Sequence, residues 1–113
     1  MPETAVENLF RDLPPRLAEE LFTTLAAGDG ARIERILSPP GQIEPGSWYD
    51  QEWDEWVMVV RGGATLEIGG APGPVELVEL GPGDHVVLPA HQRHRVASTI
   101  PGEPTLWLAV HFR

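Results

Sequence analysis

The spacing of apolar residues along the chain changes near residue 30. In the first part, four leucines follow one another at intervals of four residues: Leu13, Leu17, Leu21 and Leu25. This spacing predicts a helix with one buried face. Asp12 precedes two prolines and is a suitable N-cap, and Gly28 is a suitable stop. We therefore predict a short helix over residues 15–27.

From Arg32 onward the apolar residues occur in short runs that glycines and prolines separate. The run Glu55–Val60 is rich in β-branched and aromatic residues and is apolar on both faces, which is typical of a strand buried on both sides. Several further runs of this kind follow, and the chain ends in one. Many short strands with turn signals between them indicate an all-β sandwich or small barrel. We expect a helical segment over residues 1–31, packed on a barrel domain over residues 32–113.

Composition narrows the classes of partner. The chain has 113 residues, a length that one hydrophobic core serves, and its 8 basic residues, all arginine, face 17 acidic ones for a net charge of −9. An acidic surface repels phosphate backbones and anionic lipid, so we expect neither nucleic acid nor a membrane as a partner. The chain contains no cysteine, which excludes disulfides, thiolate metal sites and a cysteine nucleophile.

The chain start and the hydropathy pattern bear on location. The first ten residues, MPETAVENLF, lack the basic start and apolar run of a signal peptide. No apolar stretch approaches the roughly 20 residues that a membrane-spanning helix needs. We expect a cytoplasmic protein.

One carboxylate lies in an otherwise apolar strand. Glu55 shares a strand face with Val57 and Val59, and a carboxylate in such surroundings needs a compensating partner. If this face lines the barrel interior, Glu55 must be hydrogen-bonded, protonated or bound to a cation. His94, which begins a later strand, is a candidate partner. A histidine and carboxylate cluster with open positions suits Fe(II), Mn(II), Ni(II) or Zn(II).

The segment LGPGDHVVLPAHQRHRV resembles the second motif of the cupin superfamily. That motif is a glycine, five residues, Pro-x-Gly, two residues and a metal-binding histidine. Gly83, Pro89 and His94 fall in register with it, and His91 replaces its second glycine. The resemblance covers roughly residues 32–112 and is closest in size and pattern to small single-domain bacterial cupins.

The first cupin motif is only half present. It reads His-x-His, three or four residues, glutamate, six residues and glycine, and Glu55 and Gly62 match its second half. A four-residue gap places Trp48 and Asp50 where the histidines belong, whereas a three-residue gap places Tyr49 and Gln51 there. Both gaps remain open at this point.

The resemblance implies a site built on these positions. Its metal ligands are predicted to be Glu55 and His94, with Asp50 and His91 standing in for the missing histidines. The alternatives are a solvated acidic loop for Asp50 and an exposed turn for His91. Further pocket residues are predicted to be Trp48, Tyr49, Gln51 and His111, and the aromatic side chains among them suggest an apolar or planar ligand.

The resemblance also implies the fold and the functional class. The fold is expected to be a double-stranded β-helix, the jelly-roll cupin barrel, with a short N-terminal α-helix and assembly as a homodimer. The function is expected to be binding of a small molecule, or metal-dependent dioxygenase or isomerase chemistry on it, with Fe, Mn, Ni or Zn as cofactor. The alternative is a small-molecule-binding or regulatory module without a metal.

Overall fold

Strands make up the regular structure of the chain. The computed structural model describes residues 4–70 and 72–113, and within them it forms strands and no helix. The strands are β1 (Leu21–Ala27), β2 (Ala31–Ser38), β3 (Asp54–Arg61), β4 (Ala64–Gly69), β5 (Val75–Leu80), β6 (His85–Leu88), β7 (His94–Thr99) and β8 (Thr105–Phe112). The predicted strand at Glu55–Val60 is thus confirmed, one residue longer at each end.

Two antiparallel sheets form the barrel of a cupin jelly roll. One has five strands in the order β1-β2-β8-β3-β6, and the other has three in the order β5-β4-β7. Strands β2, β3 and β8 lie side by side although they are distant in sequence, because β8 returns between β2 and β3. The fold class expected from the sequence is therefore confirmed, apart from the helix.

The hydrophobic core lies between the two sheets. Along β3 the buried residues alternate with half-buried ones, so that Val57 and Val59 face inward, as the period of two predicts. They pack with Leu66 of the three-stranded sheet and with Trp107 and Ala109 of β8. Burying an aliphatic side chain of this size contributes about 1.5–3 kcal/mol, so this cluster is what joins the sheets.

The predicted helix over residues 15–27 is wrong. Residues 21–27 form β1, which pairs with β2 through Leu21↔Leu37 and Phe22↔Ile36. The interval of four residues between Leu21 and Leu25 places both on one face of a helix, but it also places both on one face of a strand. The pairing with β2, which is not visible in the local pattern, decides between the two.

Residues 4–20 form no helix or strand and lie against the sheet. The Arg35 guanidinium donates from one nitrogen to the carbonyl oxygens of Leu9, at 3.1 Å, and Arg11, at 2.7 Å. The boundary expected between residues 31 and 32 falls within β2, which begins at Ala31. That division stays a prediction, and its first three residues lie outside the described part of the chain.

Gly62 shows why the first motif ends in glycine. Its φ of 96° lies in the left-handed region, and a Cβ at this position would come within 2.6 Å of the Thr105 hydroxyl. Only glycine combines that backbone conformation with so close an approach. Thr105 in turn bonds to the backbone of Gly63. The turn after β3 is thus tied to the start of β8, and Gly62 leaves room for Thr105.

Two further expectations concern membrane-spanning helices and assembly as a homodimer. Among the residues that the structure describes, there is no helix with the length and apolar character needed to cross a bilayer. The outer face of the five-stranded sheet leaves Trp56 and Met58 half-buried and Val87 exposed. Assembly as a homodimer stays a prediction.

Candidate functional site

A cavity of about 210 Å³ lies between the two sheets. Aliphatic side chains from both sheets form part of its wall, and the carboxylates of Glu20, Glu34 and Glu55 also line it. Their positions follow from the period of two along each strand, because every second residue of β2, β3 and β8 faces inward.

Strand register brings three polar residues into one row across the large sheet. His111 of β8 pairs with Arg32 of β2 on one side and with Glu55 of β3 on the other. All three residues line the cavity. Two residues further along the strands, Val57 and Ala109 continue the same face beside Glu34 of β2. The polar residues therefore extend along β2, whereas β3 and β8 become apolar after the first row.

Glu55 and His94 face each other in this cavity. The two residues are 6% and 7% exposed, and His94 Nε2 lies 3.4 Å from Glu55 Oε1. Nδ1 of His94 donates to the carbonyl oxygen of Gln92 at 2.9 Å. The hydrogen on Nδ1 is thus held by the backbone, and Nε2 is the nitrogen that is directed toward the carboxylate.

Glu55 Oε1 is buried and accepts no hydrogen bond. Burying a charged oxygen without a partner costs free energy, and a neutral His94 would present only a lone pair to it. The pair is consistent with three further groups: a proton on Nε2, a cation between the two residues, or a hydrogen-bond donor from a ligand.

The pKa of His94 is raised above its ordinary value by its surroundings. Burial lowers the pKa, but the Glu55 carboxylate and the Gln92 carbonyl raise it by more. Both oxygens favour the charged imidazolium, which is a case of a nearby charge outweighing desolvation. The charge state of His94 therefore depends on Glu55.

Tyr49 covers the imidazole of His94. The two rings are stacked with their centroids 5.6 Å apart, and the backbones of the same two residues exchange hydrogen bonds of 2.8 and 3.1 Å. This bridge fixes the loop before β3 against the start of β7. Burial raises the pKa of Tyr49, and the charges of Glu20, Glu55 and Glu34 raise it further, so the phenol stays a neutral donor.

The other two carboxylates have their own partners. His111 Nε2 lies 2.8 Å from Glu34 Oε1, and the Arg32 guanidinium is 3.7 Å from the same oxygen. Glu20 accepts a long hydrogen bond of 3.4 Å from the Ser38 hydroxyl. Ser38 accepts in turn from the Trp107 indole at 3.0 Å.

The four predicted metal ligands separate into two pairs. Glu55 and His94 meet in the cavity, whereas Asp50 and His91 meet outside it, with His91 Nδ1 2.8 Å from Asp50 Oδ1. The side chains of this second pair are 66% exposed for His91 and 59% for Asp50. Neither lines the cavity. The structure therefore does not bring Asp50 or His91 to Glu55 and His94, and their ligation stays a prediction that this geometry does not support.

The predicted pocket residues divide in the same way. Tyr49, Gln51 and His111 line the cavity. The positions of Tyr49 and Gln51 correspond to the three-residue gap in the first motif. Trp48 does not line it, and the guanidinium groups of Arg93 and Arg95 each lie 4.2 Å from its ring. Alternation alone places Tyr49 and Gln51 on one side of the chain and Trp48 and Asp50 on the other.

Sequence reasoning missed Glu20, Glu34 and Arg32 as cavity residues. The period of two along β2 could have identified Arg32 and Glu34, because they alternate with Ile33 and share a face with Ile36. Glu20 had no such signal, because it lies just before β1 in a segment that resembled a helix.

The cavity supplies too few ligands for the metal expected from the sequence. A catalytic metal ordinarily has three protein ligands and one open position. Glu55 and His94 converge, but across residues 4–70 and 72–113 no group of three histidine, aspartate or glutamate side chains is placed to hold an ion. The donor set therefore does not fit a divalent-metal centre built from these side chains.

Comparison with known proteins gives a family and several similar structures. The family model described as a cupin domain matches residues 34–111. A protein of Ralstonia eutropha JMP134, described as a "putative mannose-6-phosphate isomerase", is 48% identical, with 96% of this chain and 98% of that chain covered and a TM-score of 0.83. No curated protein matches the chain.

More distant structures share the fold. A cupin superfamily protein of Desulfitobacterium hafniense DCB-2 is 19% identical, with 99% of this chain and 94% of that chain covered and a TM-score of 0.75. An iron enzyme, Fe(II)-HppE with an alternative substrate, is 12% identical, with 85% of this chain and 51% of that chain covered and a TM-score of 0.72.

Proposed function

This chain belongs to the cupin domain family, and from that premise we propose that it is a small-molecule-binding protein that works without a resident metal. Its ligand is held in the cavity by Glu55 and His94. The observation that carries the proposal is the Glu55 carboxylate, which belongs to a residue that lines the cavity and whose Oε1 is buried with no hydrogen-bond partner among the described residues. A ligand that donates to this carboxylate offsets part of the cost of burying it.

The surrounding residues would orient such a ligand. His94 can donate from Nε2 when it is protonated and can accept when it is neutral. The Tyr49 phenol and the Gln51 amide also line the cavity and add a donor and a donor–acceptor pair. A few convergent polar groups in an otherwise apolar cavity are typical of small-molecule sites.

A second candidate function is isomerisation, which draws on the printed description of the protein from Ralstonia eutropha JMP134. Glu55 and His94 lie 3.4 Å apart and could exchange a proton with a bound substrate, as a general acid and base do. The candidate requires that the cavity accept a phosphorylated sugar.

The proposal is tested by screening small compounds that carry hydrogen-bond donors, with indole and methyl NMR signals of cavity residues as the readout. We expect ligands that shift the Trp107 indole signal in the wild type and fail to do so in Glu55→Gln. Asp50→Asn is the matched control, because it removes the carboxylate of the other histidine pair and leaves the cavity unchanged. Shifts that persist in Glu55→Gln would contradict the proposal.

Measuring the metal content of the protein distinguishes the metal-free proposal from the metal-dependent alternative. Protein purified without an affinity tag is incubated with Fe(II), Mn(II), Ni(II) or Zn(II), desalted and measured by elemental analysis. We expect far less than one ion per chain. A content near one ion per chain that is lost in His94→Ala and in Glu55→Ala, but retained in His91→Ala, would establish a metal at the cavity and overturn the metal-free proposal.

A further inference from the structure

The carboxylates that line the cavity outnumber its permanently charged cations. Among the described residues, three carboxylates face it, from Glu20, Glu34 and Glu55, and Arg32 is the one arginine, beside the imidazoles of His94 and His111. The Arg32 guanidinium lies 3.7 Å from Glu34, and His111 also bonds to Glu34 at 2.8 Å. Both basic side chains at that side of the cavity are therefore directed at the same carboxylate.

Glu20 and Glu55 have much less compensation. Within the described part of the chain, Glu20 accepts one side-chain hydrogen bond, from the Ser38 hydroxyl at 3.4 Å. Glu55 has His94 at 3.4 Å, and its buried Oε1 accepts no hydrogen bond. A buried carboxylate with these surroundings favours any cation that can reach it, because charges interact more strongly where water is excluded.

The electrostatic effects of the three carboxylates overlap in the cavity. Burial raises the pKa of Glu20, and although the Ser38 hydroxyl lowers it, the charge of Glu55 raises it further. All three carboxylates also raise the pKa of Tyr49, in addition to its burial. Their negative potential therefore extends across the space that Tyr49 borders, which is the mouth of the Glu55–His94 pair.

The remainder of the cavity favours a short apolar body. Ile36, Val57, Leu66 and Trp107 also line it. Its volume of about 210 Å³ lies below the roughly 300–1,000 Å³ of sites for drug-sized molecules. The ligand must therefore be small, with an apolar part that fits against these side chains.

We infer that this cavity is selective for a small organic cation, a protonated primary amine on a short apolar body, whose ammonium group donates to the Glu55 carboxylate. The inference rests on the proposed function and adds the chemical class of the ligand. An ammonium group supplies a hydrogen-bond donor to this carboxylate and, when His94 is neutral, the positive charge that balances it. A hydroxyl group supplies only the donor, and a carboxylate or phosphate group supplies neither.

The test compares four probes by NMR titration and isothermal calorimetry at equal ionic strength: benzylamine, benzyl alcohol, benzoate and mannose 6-phosphate. The first three have nearly the same shape and differ in charge. We expect benzylamine to bind about tenfold or more tightly than benzyl alcohol, because a hydrogen bond to a charged group is stronger than a neutral one. We expect no binding of benzoate or mannose 6-phosphate in the cavity.

Two variants separate the cavity from the acidic surface, which attracts amines without specificity. Glu55→Gln keeps the side-chain shape and removes the charge, so we expect the preference for benzylamine over benzyl alcohol to disappear. Glu76→Gln removes one exposed carboxylate of β5 and changes the net charge by the same amount. We expect it to leave both affinities unchanged, and equal losses in the two variants would overturn the inference.

The outcomes distinguish the inference from the proposed function. If benzyl alcohol or an anionic probe binds as tightly as benzylamine and this binding is lost in Glu55→Gln, the cation inference is wrong and the binding function stands. If no probe shifts the Trp107 indole signal, both are wrong. Binding of benzylamine that depends on Glu55 and exceeds that of the matched alcohol supports both.

Discussion

Two histidine–carboxylate pairs, one buried and one exposed, lie close together in this protein. Glu55 and His94 meet in the cavity at 3.4 Å, and Asp50 and His91 meet at the surface at 2.8 Å. Asp50 precedes Glu55 by five residues and His91 precedes His94 by three. The exposed pair therefore joins the loop before β3 to the turn before β7, and the buried pair joins the two strands themselves. The shorter distance belongs to the pair that is open to water.

The comparison shows that distance alone is a poor guide to the importance of an ion pair. An exposed pair contributes about 0–1 kcal/mol, because water screens its charges. A buried pair costs desolvation to form, and removing one partner leaves the other uncompensated. We expect the longer contact in the cavity to have the larger effects, and three predictions test this expectation.

The largest difference is expected in stability. His94→Ala should lower the free energy of unfolding by about 2–4 kcal/mol, because it opens a void and leaves Glu55 buried without a counter-charge. His91→Ala should lower it by less than about 1 kcal/mol. Urea unfolding followed by tryptophan fluorescence measures both. Similar losses in the two variants would show that burial does not separate the pairs.

An intermediate effect is expected on the titration of His94. Burial lowers the pKa of His94 and Glu55 helps to raise it, so Glu55→Gln should lower this pKa, whereas Asp50→Asn should leave it unchanged. NMR titration of the imidazole protons measures the shift. A His94 pKa that responds equally to both substitutions would contradict the assignment of Glu55 as its partner.

The raised pKa of His94 also makes the stability of the fold depend on pH. A folded-state pKa above the unfolded one means that protonation of His94 stabilises the fold fully below pH of about 6.5, and that this contribution is lost as pH rises through the folded pKa. The pH dependence in this window should weaken in Glu55→Gln.

The smallest effect is expected at His91. Its φ of 64° lies in the left-handed region, which explains why the second cupin motif has glycine at this position. His91→Gly removes backbone strain of about 1–2 kcal/mol but increases the freedom of the unfolded chain and removes an exposed ion pair. We expect a net gain in stability between zero and about 1 kcal/mol, measured by urea unfolding. A loss of more than about 1 kcal/mol would mean that the Asp50–His91 pair is stronger than an exposed pair should be.

Part of the site was predictable from local patterns. Glu55 stood out because it shares a strand face with valines, and Gly62 and His94 fell at motif spacing. The prediction of Glu55 rests on strand alternation, and the predictions of Gly62 and His94 rest on turn geometry. Both are properties of neighbouring residues. Glu20 could not be predicted in this way, since its proximity to Ser38 depends on how β1 adds to the edge of the sheet.

The choice between the two gaps in the first motif shows the same limit. Trp48 and Asp50 were as acceptable in sequence as Tyr49 and Gln51, because both sets alternate. The backbone bridge between Tyr49 and His94 sets the phase of the loop, and with it directs Tyr49 and Gln51 into the cavity. Asp50 points outward to His91 as a result.

The amino-acid sequence by itself determined the all-β class, the strand at Glu55–Val60, the acidic balance and the pairing of Glu55 with His94 as a hypothesis, because each follows from spacing or composition. The tertiary structure alone decided the rest. It converted residues 21–27 from an expected helix to an edge strand, brought Glu20 to the cavity, and separated Asp50 and His91 from it. The physical reason is that an interval of four residues fits a helix and a strand equally well, and only the pairing of strands distant in sequence selects one of them.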